Sequence, residues 1–434
     1  MITTPSRKTR TIHLWPLMLS FFVMGTNLLE RVIFRHRGGG DEGSVINQVF
    51  LSLAYVMAFF FLLRRRSLFW KMIRQALPWV LSFFLIGLSM AWSRFPQAVW
   101  MSVAHQLGAA LVAMCSAILW HEDRDLFFKM LFRMGMVYIL ITILAFAFLP
   151  SISLMPERVY SPTRQWRGLT SHYNTLGFFC LTINWIAVAS YFLTEKGKKR
   201  RRAILCLLML VLDFYCLYRT NSMTSTLLSI ALAFATVWFM FTRTTYGHIK
   251  RVKIAFFLLM VSLMIAGVYL VNQKIFTKKY FFKTIGRTET LTNRTTLWEL
   301  GLKGISIHPY VGWSFDGLRS FNERSGMSYG QVHNGYYDLV LRGGFLAGFL
   351  FFLMLLKMIK ALRRSKIPDY TSYYFCMMLL IVILAHNITE ASFFRNCHFL
   401  WQIFLVLYFY ALLIQDDRPQ AVHRVLPRSS GEKP

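Results

Sequence analysis

Charged residues are scarce in this sequence, and acidic ones are the scarcest. Charged side chains make up 16% of the 434 residues, whereas an average soluble domain has about 25%. The 19 acidic residues face 49 lysines and arginines, so the formal net charge is +30. The sequence also has no polar stretch long enough to fold as a separate soluble catalytic domain. These features exclude an ordinary soluble enzyme.

The six cysteines show no metal-binding or disulfide pattern. No CxxC or CxxH spacing occurs, and most of the cysteines lie inside apolar stretches. A disulfide framework and a zinc site both depend on such spacings. We therefore predict neither, and the sequence indicates no bound metal or cofactor.

Long apolar blocks dominate the sequence instead. Hydrophobic residues make up 56% of the chain, and the mean hydropathy is +0.45. The blocks are about twenty residues long, which is the length of helix that crosses about 30 Å of hydrocarbon. We predict an all-α polytopic membrane protein with about twelve transmembrane helices. The predicted spans are residues 13–30, 45–63, 76–93, 98–120, 127–149, 171–193, 203–219, 222–241, 254–272, 333–356, 370–388 and 397–414.

The basic residues between the blocks indicate the orientation. Dense clusters, among them Arg64-Arg65-Arg66 and the run 196–202, fall on the same side of the membrane in this arrangement. Basic loops are typical of the cytoplasmic side, so both termini are predicted to be cytoplasmic. The positive charge then lies against anionic lipid headgroups. Nucleic-acid binding is not expected, because no soluble basic surface exists to carry it.

One long outer loop interrupts the spans. The prediction divides the chain into helices one to nine (1–272), the outer loop (273–332), helices ten to twelve (333–414) and a cytoplasmic tail (415–434). We expect short helices in the loop. The clearest begins after Thr292, runs from Arg294 to Ser306 and is ended by Pro309.

Polar residues at the start of this predicted helix, and at the point where the loop re-enters the membrane, are candidates for catalysis or substrate binding. Arg294 can hold a phosphate in a bidentate contact; alternatively it is solvated on an interfacial helix with Trp298 in the aromatic belt. His333 stands where the loop re-enters the membrane and can accept a proton near neutral pH, although an interfacial histidine is often only a polar anchor. Asn334 or Tyr337 beside it could orient a substrate.

A further group of polar residues lies at the same predicted face. Arg164, Arg167, His172 and Asn174 precede or open the sixth span, and Arg219 ends the seventh. Polar residues entering a span often line a cavity; the alternatives are helix packing and arginine snorkelling. Several arginines beside one histidine suit a diphosphate anion presented at the membrane surface, with a neutral base for a hydroxyl group.

Over residues 80–400 the chain resembles the O-antigen ligase and polysaccharide polymerase superfamily of bacterial inner membranes. The resemblance is carried by short motifs in a characteristic order. These are Trp92-Ser93 with Pro96, Gly168 with His172-Tyr173-Asn174 and Gly177, Ser222 to Thr226, Asn293-Arg294 with Trp298, Pro309 with Gly312, His333-Asn334-Gly335 with Gly344 and Gly348, and then Glu390 and Trp401.

The resemblance implies a metal-independent, inverting glycosyl transfer at the periplasmic face, with a glycan on undecaprenyl diphosphate as donor. It implies that Arg294 binds the diphosphate and that His333 activates or orients the acceptor hydroxyl. Candidate additional residues are Arg164, Arg167 and Arg219 for the diphosphate, and His172, Asn174, Asn334 and Tyr337 for the glycan. A chain-length co-polymerase is a candidate partner.

One departure from the family pattern favours a particular activity. Ligases of this group commonly carry an arginine in the Ser/Thr-rich motif where this chain has Met223, and Arg219 could substitute for it. We therefore predict an exopolysaccharide polymerase that joins lipid-linked repeat units. The alternative is a ligase that transfers O-antigen to lipid A–core. A flippase or secondary transporter is less favoured, because the sequence shows neither inverted repeats nor helices broken near the bilayer centre.

Overall fold

The computed structural model describes residues 15–25, 45–155, 165–194, 199–244, 254, 294–326, 330–364 and 369–415. Over these residues the chain is helical, and its only β-type pairing is one isolated antiparallel bridge between Leu154 and Trp166. The predicted all-α fold is confirmed. The helices are α1 (Trp15–Gly25), α2 (Val45–Arg64), α3 (Arg66–Gln75), α4 (Leu77–Leu88), α5 (Pro96–Glu122), α6 (Arg124–Phe148), α7 (Pro150–Ser153), α8 (Tyr173–Leu193), α9 (Lys199–Thr220), α10 (Met223–Thr242), α11 (Arg294–Ile307), α12 (Arg319–Ser325), α13 (Gly335–Arg364), α14 (Tyr370–His386) and α15 (Phe399–Ile414).

The protein is a multi-pass membrane protein. Among the described residues, seven helices are long and apolar enough to cross a membrane, namely α2, α5, α6, α8, α9, α10 and α13. The bent pair formed by α3 and Leu77–Ala91 gives an eighth if it is counted as one span. The shorter apolar helices α1, α14 and α15 coincide with three other predicted spans. The predicted span 254–272 lies outside the described residues apart from Ile254, so the total of twelve stays a prediction.

Helices α8 and α15 form the centre of the bundle. Both are apolar on all sides, and a helix with no polar face is stable only where neighbours or lipid surround it. Every residue of α15 from Phe399 to Leu413 is buried, and the helix packs against α5. The rings of Trp120 and Tyr410 stack between these two helices with their centroids 4.1 Å apart. Helix α10 instead exposes apolar residues such as Leu227 and Val237, as expected of a helix that faces lipid.

Helix α13 is interrupted at Gly344, and the loop segment fills the interruption. Gly344 has φ +65°, a conformation that glycine adopts without a steric penalty. The amide groups of Phe345 and Leu346 donate to the carbonyls of Pro309 and Tyr310, at 2.7 and 3.2 Å. A Cβ atom at Gly344 would lie 2.1 Å from the Tyr310 carbonyl. The chain that follows α11 is therefore fixed to α13 through backbone contacts.

The predicted loop helix is confirmed, since α11 runs from Arg294 to Ile307. The chain after it folds around a small apolar core that includes Ile305, Trp313, Phe321 and Leu341. Its far end is attached to the residues that follow α4, where Ser93 Oγ donates to Asp316 Oδ2 at 2.9 Å. The described part of the loop is thus packed against the bundle.

Candidate functional site

Glu390 is the centre of a buried polar cluster. It lies in the loop 387–398 between α14 and α15 and is only 7% exposed. Four side chains contact its two carboxylate oxygens. They are Arg294 (2.5 Å) and Asn174 (2.8 Å) at Oε1, and His333 (3.0 Å) and Gln331 (3.3 Å) at Oε2. The cluster therefore joins residues from α8, from the start of α11, from the residues before α13 and from the last loop.

Arg294 supplies the positive charge of the cluster. It is the first residue of α11 and is 8% exposed. One guanidinium nitrogen donates to Glu390 and the other terminal nitrogen donates to the carbonyl of Thr389 at 2.5 Å. A planar guanidinium reaches two acceptors at a fixed separation, which an ammonium group cannot reproduce. The alternative of a merely solvated arginine is wrong for this residue.

His333 is oriented by the carboxylate. Because an ionised carboxylate only accepts hydrogen bonds, the 3.0 Å contact requires that Nδ1 carries the proton. The other ring nitrogen, Nε2, then has a free lone pair and can act as a proton acceptor. His333 has φ +52°, an uncommon conformation for a residue with a side chain, and its carbonyl accepts from the Trp298 indole at 3.3 Å. The backbone and the ring are thus both held in place.

The partners of Glu390 keep it ionised. Burial alone would raise the pKa of its carboxyl group, because a charge is disfavoured away from water. The hydrogen bond and charge of His333, together with the charge of Arg294, outweigh burial and lower the pKa to about 2. The carboxylate is therefore charged at neutral pH and favours the Nδ1–H form of the imidazole.

The start of α13 is tied directly to the loop that carries Glu390. Asn334 caps α13, since its Oδ1 accepts from the amides of Tyr336 and Tyr337 at 3.0 Å. Its Nδ2 donates to the carbonyl of Ile388 at 3.0 Å, and the amide of Gly335 donates to the carbonyl of Asn387 at 2.7 Å. These contacts set the relative positions of His333 and Glu390. Asn334 has a positioning role here, and its predicted glycan contact stays a prediction.

Two of the predicted residues at the start of α8 also lie at the cluster. Asn174 contacts Glu390 directly, and the His172 ring accepts from the Asn174 amide as the N-cap of α8. Tyr337 packs edge-on against Trp298 with the ring centroids 6.3 Å apart. The structure therefore brings Asn174, His172 and Tyr337 close to His333 or to the residues that hold it.

Two of the remaining predicted arginines, Arg167 and Arg219, lie near Trp166. The Arg219 guanidinium lies over the Trp166 ring, 4.7 Å from its centroid, and the Arg219 carbonyl accepts from the Trp166 amide. Arg167 Nε donates to the carbonyl of Ile152 at 2.8 Å. Arg164 lies outside the described residues. Arg219 is an exposed residue.

The sequence interpretation missed the roles of Gln331 and Arg342. Arg342 forms an i, i+4 ion pair with Asp338 at 2.6 Å. It also donates to the carbonyls of Phe393 and Phe394, at 2.7 and 3.0 Å, and so holds the loop that carries Glu390. The role of Arg342 could have been inferred from its position inside an apolar helix. A buried arginine there must find hydrogen-bond partners.

Residues 204–352 match a family model described as O-antigen ligase. This segment is therefore similar to O-antigen ligases. It runs from α9 into α13 and contains Arg219, Arg294 and His333, whereas Asn174 and Glu390 lie outside it and join the site through folding. The resemblance deduced from the short motifs is confirmed over these residues. No curated protein matches the chain.

The family match has a functional consequence. It implies an enzyme of the glycosyl-transfer type that acts on lipid-linked glycans, as O-antigen ligases and the related polymerases do. The His333–Glu390–Arg294 cluster supplies a proton acceptor, a group that orients it and a cation. These are the groups that such a transfer needs at the reacting centre.

Proposed function

We propose that the protein is an exopolysaccharide polymerase of the bacterial inner membrane. It would join repeat units carried on undecaprenyl diphosphate at the periplasmic face, with both termini in the cytoplasm and with residues 273–332 as the periplasmic loop. The observation that carries the glycosyl-transfer part of the proposal is the contact of Glu390 with both His333 and Arg294. The departure at Met223 from the ligase pattern favours polymerase over ligase.

In the proposed reaction His333 is the general base. Its Nε2 takes the proton of an acceptor sugar hydroxyl while that oxygen attacks the anomeric carbon of the donor. The new glycosidic C–O bond forms as the C–O bond to the diphosphate breaks, with inversion of the anomeric configuration. A base held in position contributes about a hundredfold to ten-thousandfold to such a step. Glu390 stabilises the imidazolium that forms.

Arg294 would stabilise the leaving diphosphate. A guanidinium has several N–H donors, so its contacts with Glu390 and Thr389 leave others able to bind a phosphate oxygen. Negative charge builds up on the diphosphate as the C–O bond breaks, and a preorganised cation stabilises that charge. Arg219 and Arg167 are proposed as further diphosphate contacts, together with Arg164. No divalent metal ion is needed in this scheme, since guanidinium groups supply the positive charge.

O-antigen ligase is the second candidate, because the family model matched by residues 204–352 carries that description. A gene deletion distinguishes the two activities. Loss of extracellular polymer with fully capped lipopolysaccharide is the outcome expected of a polymerase. Loss of O-antigen from lipid A–core with polymer still made would overturn the polymerase assignment. In vitro, the purified protein and lipid-linked repeat units alone should yield a ladder of longer products, without added lipid A–core.

A further inference from the structure

Helix α3 lies across the direction of the segment that follows it. Arg66–Gln75 meets Leu77–Ala91 at a bend of 79°. A helix at this angle to a segment that crosses the membrane would lie along the membrane surface. One of its faces packs on the bundle, where Met72 is fully buried and Phe69 and Ile73 are partly buried. The segment falls in the basic connection between the predicted spans 45–63 and 76–93, so this helix was not predicted.

An adjacent face of α3 presents cations and an aromatic ring. Arg66, Trp70 and Arg74 follow each other at intervals of four and therefore share one side of the helix. All three are exposed, and neither arginine forms an ion pair within the described part of the chain. Together with Ser67, Lys71 and Gln75 they line an open surface pocket of about 490 Å³.

The pocket is fixed to the centre of the bundle. Lys71 Nζ donates to the carbonyl of Leu413 at 3.1 Å, at the end of the buried helix α15. The fold therefore fixes the position of the pocket and of the basic residues that line it. None of the residues that line the pocket belongs to the cluster around Glu390, so the pocket is a second site with its own chemistry.

We propose that this face of α3 binds the headgroup of an anionic phospholipid. Eight residues of helix separate Arg66 from Arg74 by about 12 Å along the axis, so both can approach one headgroup from either side. Trp70 between them has the amphipathic ring that favours the boundary between headgroups and acyl chains. A lipid in the same membrane is the anion that a surface-lying helix meets first. The charge and the orientation of α3 therefore both favour an anionic phospholipid.

The test counts lipids bound to the purified full-length protein by native mass spectrometry, with phosphatidylglycerol and phosphatidylcholine supplied in turn. The Arg66→Gln/Arg74→Gln variant should bind phosphatidylglycerol about thirtyfold more weakly, since each basic residue near anionic lipid strengthens binding about fivefold. The matched control is Arg363→Gln/Arg364→Gln, which removes the same charge from the exposed end of α13 and should bind like the wild type.

Several outcomes would overturn this assignment. Equal loss in both double variants would mean that overall charge, and not this face, attracts the lipid. Equal binding of the two lipids would show that the negative charge of the headgroup does not contribute to binding. Displacement of the lipid by millimolar inorganic phosphate would identify a site for a soluble anion. Arg66→Lys/Arg74→Lys keeps the charge and the helix, so it should bind within a few-fold of the wild type; failure of this variant to bind would also refute the proposal.

Discussion

Replacing Glu390 by glutamine tests whether the carboxylate orients the imidazole of His333, the proposed general base. An amide has one oxygen to accept hydrogen bonds, while four side chains donate to Glu390 in the structure. The amide NH2 group must then face one of these donors. The imidazole of His333 is the one that can adapt, by moving its proton from Nδ1 to Nε2 and accepting at Nδ1. The nitrogen proposed to take the hydroxyl proton would then already carry one.

The expected effect of Glu390→Gln on kcat is a loss of about a hundredfold to ten-thousandfold, the range that a positioned base contributes. This corresponds to about 3–5 kcal/mol in the activation barrier. A second effect concerns folding, because Arg294 would keep its buried charge without a carboxylate. Breaking a buried ion pair in this way typically costs about 3–5 kcal/mol of stability. Membrane content and melting temperature of each variant must therefore be measured beside its activity.

The assay follows chain growth by the purified protein on lipid-linked repeat units. Glu390→Asp keeps the charge and should lose less activity than Glu390→Gln. Glu323→Gln is the matched control, because it removes a carboxylate from an exposed ion pair with Arg94 and should leave kcat unchanged. A Glu390→Gln variant that is folded and within tenfold of the wild-type kcat would refute the orienting role.

The lowered pKa of Glu390 adds a pH dependence to this test. An ordinary glutamate has a pKa of 4.5, and the folded site lowers it to about 2. Since the folded-state pKa is the lower one, the stabilisation is fully present above pH 4.5 and is lost as the pH falls towards 2. The wild type should therefore lose stability over that interval by about 3 kcal/mol. Glu390→Gln should lose much less; equal acid sensitivity of the two proteins would contradict this origin of the shift.

Further predictions concern the other groups of the site and the helix interruption. His333→Gln keeps a hydrogen-bonding side chain but cannot take a proton, so its chain growth should fall about a hundredfold or more; near-normal growth would mean that His333 only orients the acceptor. Arg294→Lys should fail nearly as badly as Arg294→Ala while the protein still accumulates in the membrane, because a lysine cannot make the planar contacts; full polymer production would show that charge alone suffices. Gly344→Ala should lower stability by more than about 2 kcal/mol in thermal melts, because alanine is strained at positive φ and its Cβ would overlap Tyr310. Gly348→Ala is its control, with a Cβ 3.4 Å from the nearest atom, and should be neutral or stabilising. Activity measured with excess EDTA should equal that without it, since guanidinium groups stabilise the leaving group; a loss restored by Mg²⁺ would refute the metal-independent scheme.

Features that depend on neighbouring residues could be predicted from the sequence. Apolar blocks predicted the spans, and turn signals predicted the loop helix that became α11. Only Thr220 and Asn221 separate the predicted spans 203–219 and 222–241. The structure places Asn221 there with φ +56°, so the chain turns and two separate helices form.

The contacts of the site could not be predicted in the same way. Asn174 and Glu390 touch across 216 residues of sequence, and no local period or spacing relates them. The arginines were expected to converge on one anion. Arg219 instead lies over the ring of Trp166, whose backbone amide donates to the Arg219 carbonyl at 3.1 Å. Helix α3 was missed for a different reason. Its arginines are typical of a cytoplasmic connection, and that pattern hides the apolar face beneath them.

The contacts around loop 387–398 explain why the site needs both the segment 204–352 and the chain beyond it. His333 and Arg294 belong to the matched segment, but both contact Glu390, which lies beyond it. The loop in turn depends on the matched segment, because Arg342 holds the carbonyls of Phe393 and Phe394 and the start of α13 holds Asn387. Neither part can keep the imidazole, the carboxylate and the guanidinium within hydrogen-bond distance without the other. The geometry that would move a proton and stabilise a diphosphate is therefore a property of the assembled bundle and not of the matched segment alone.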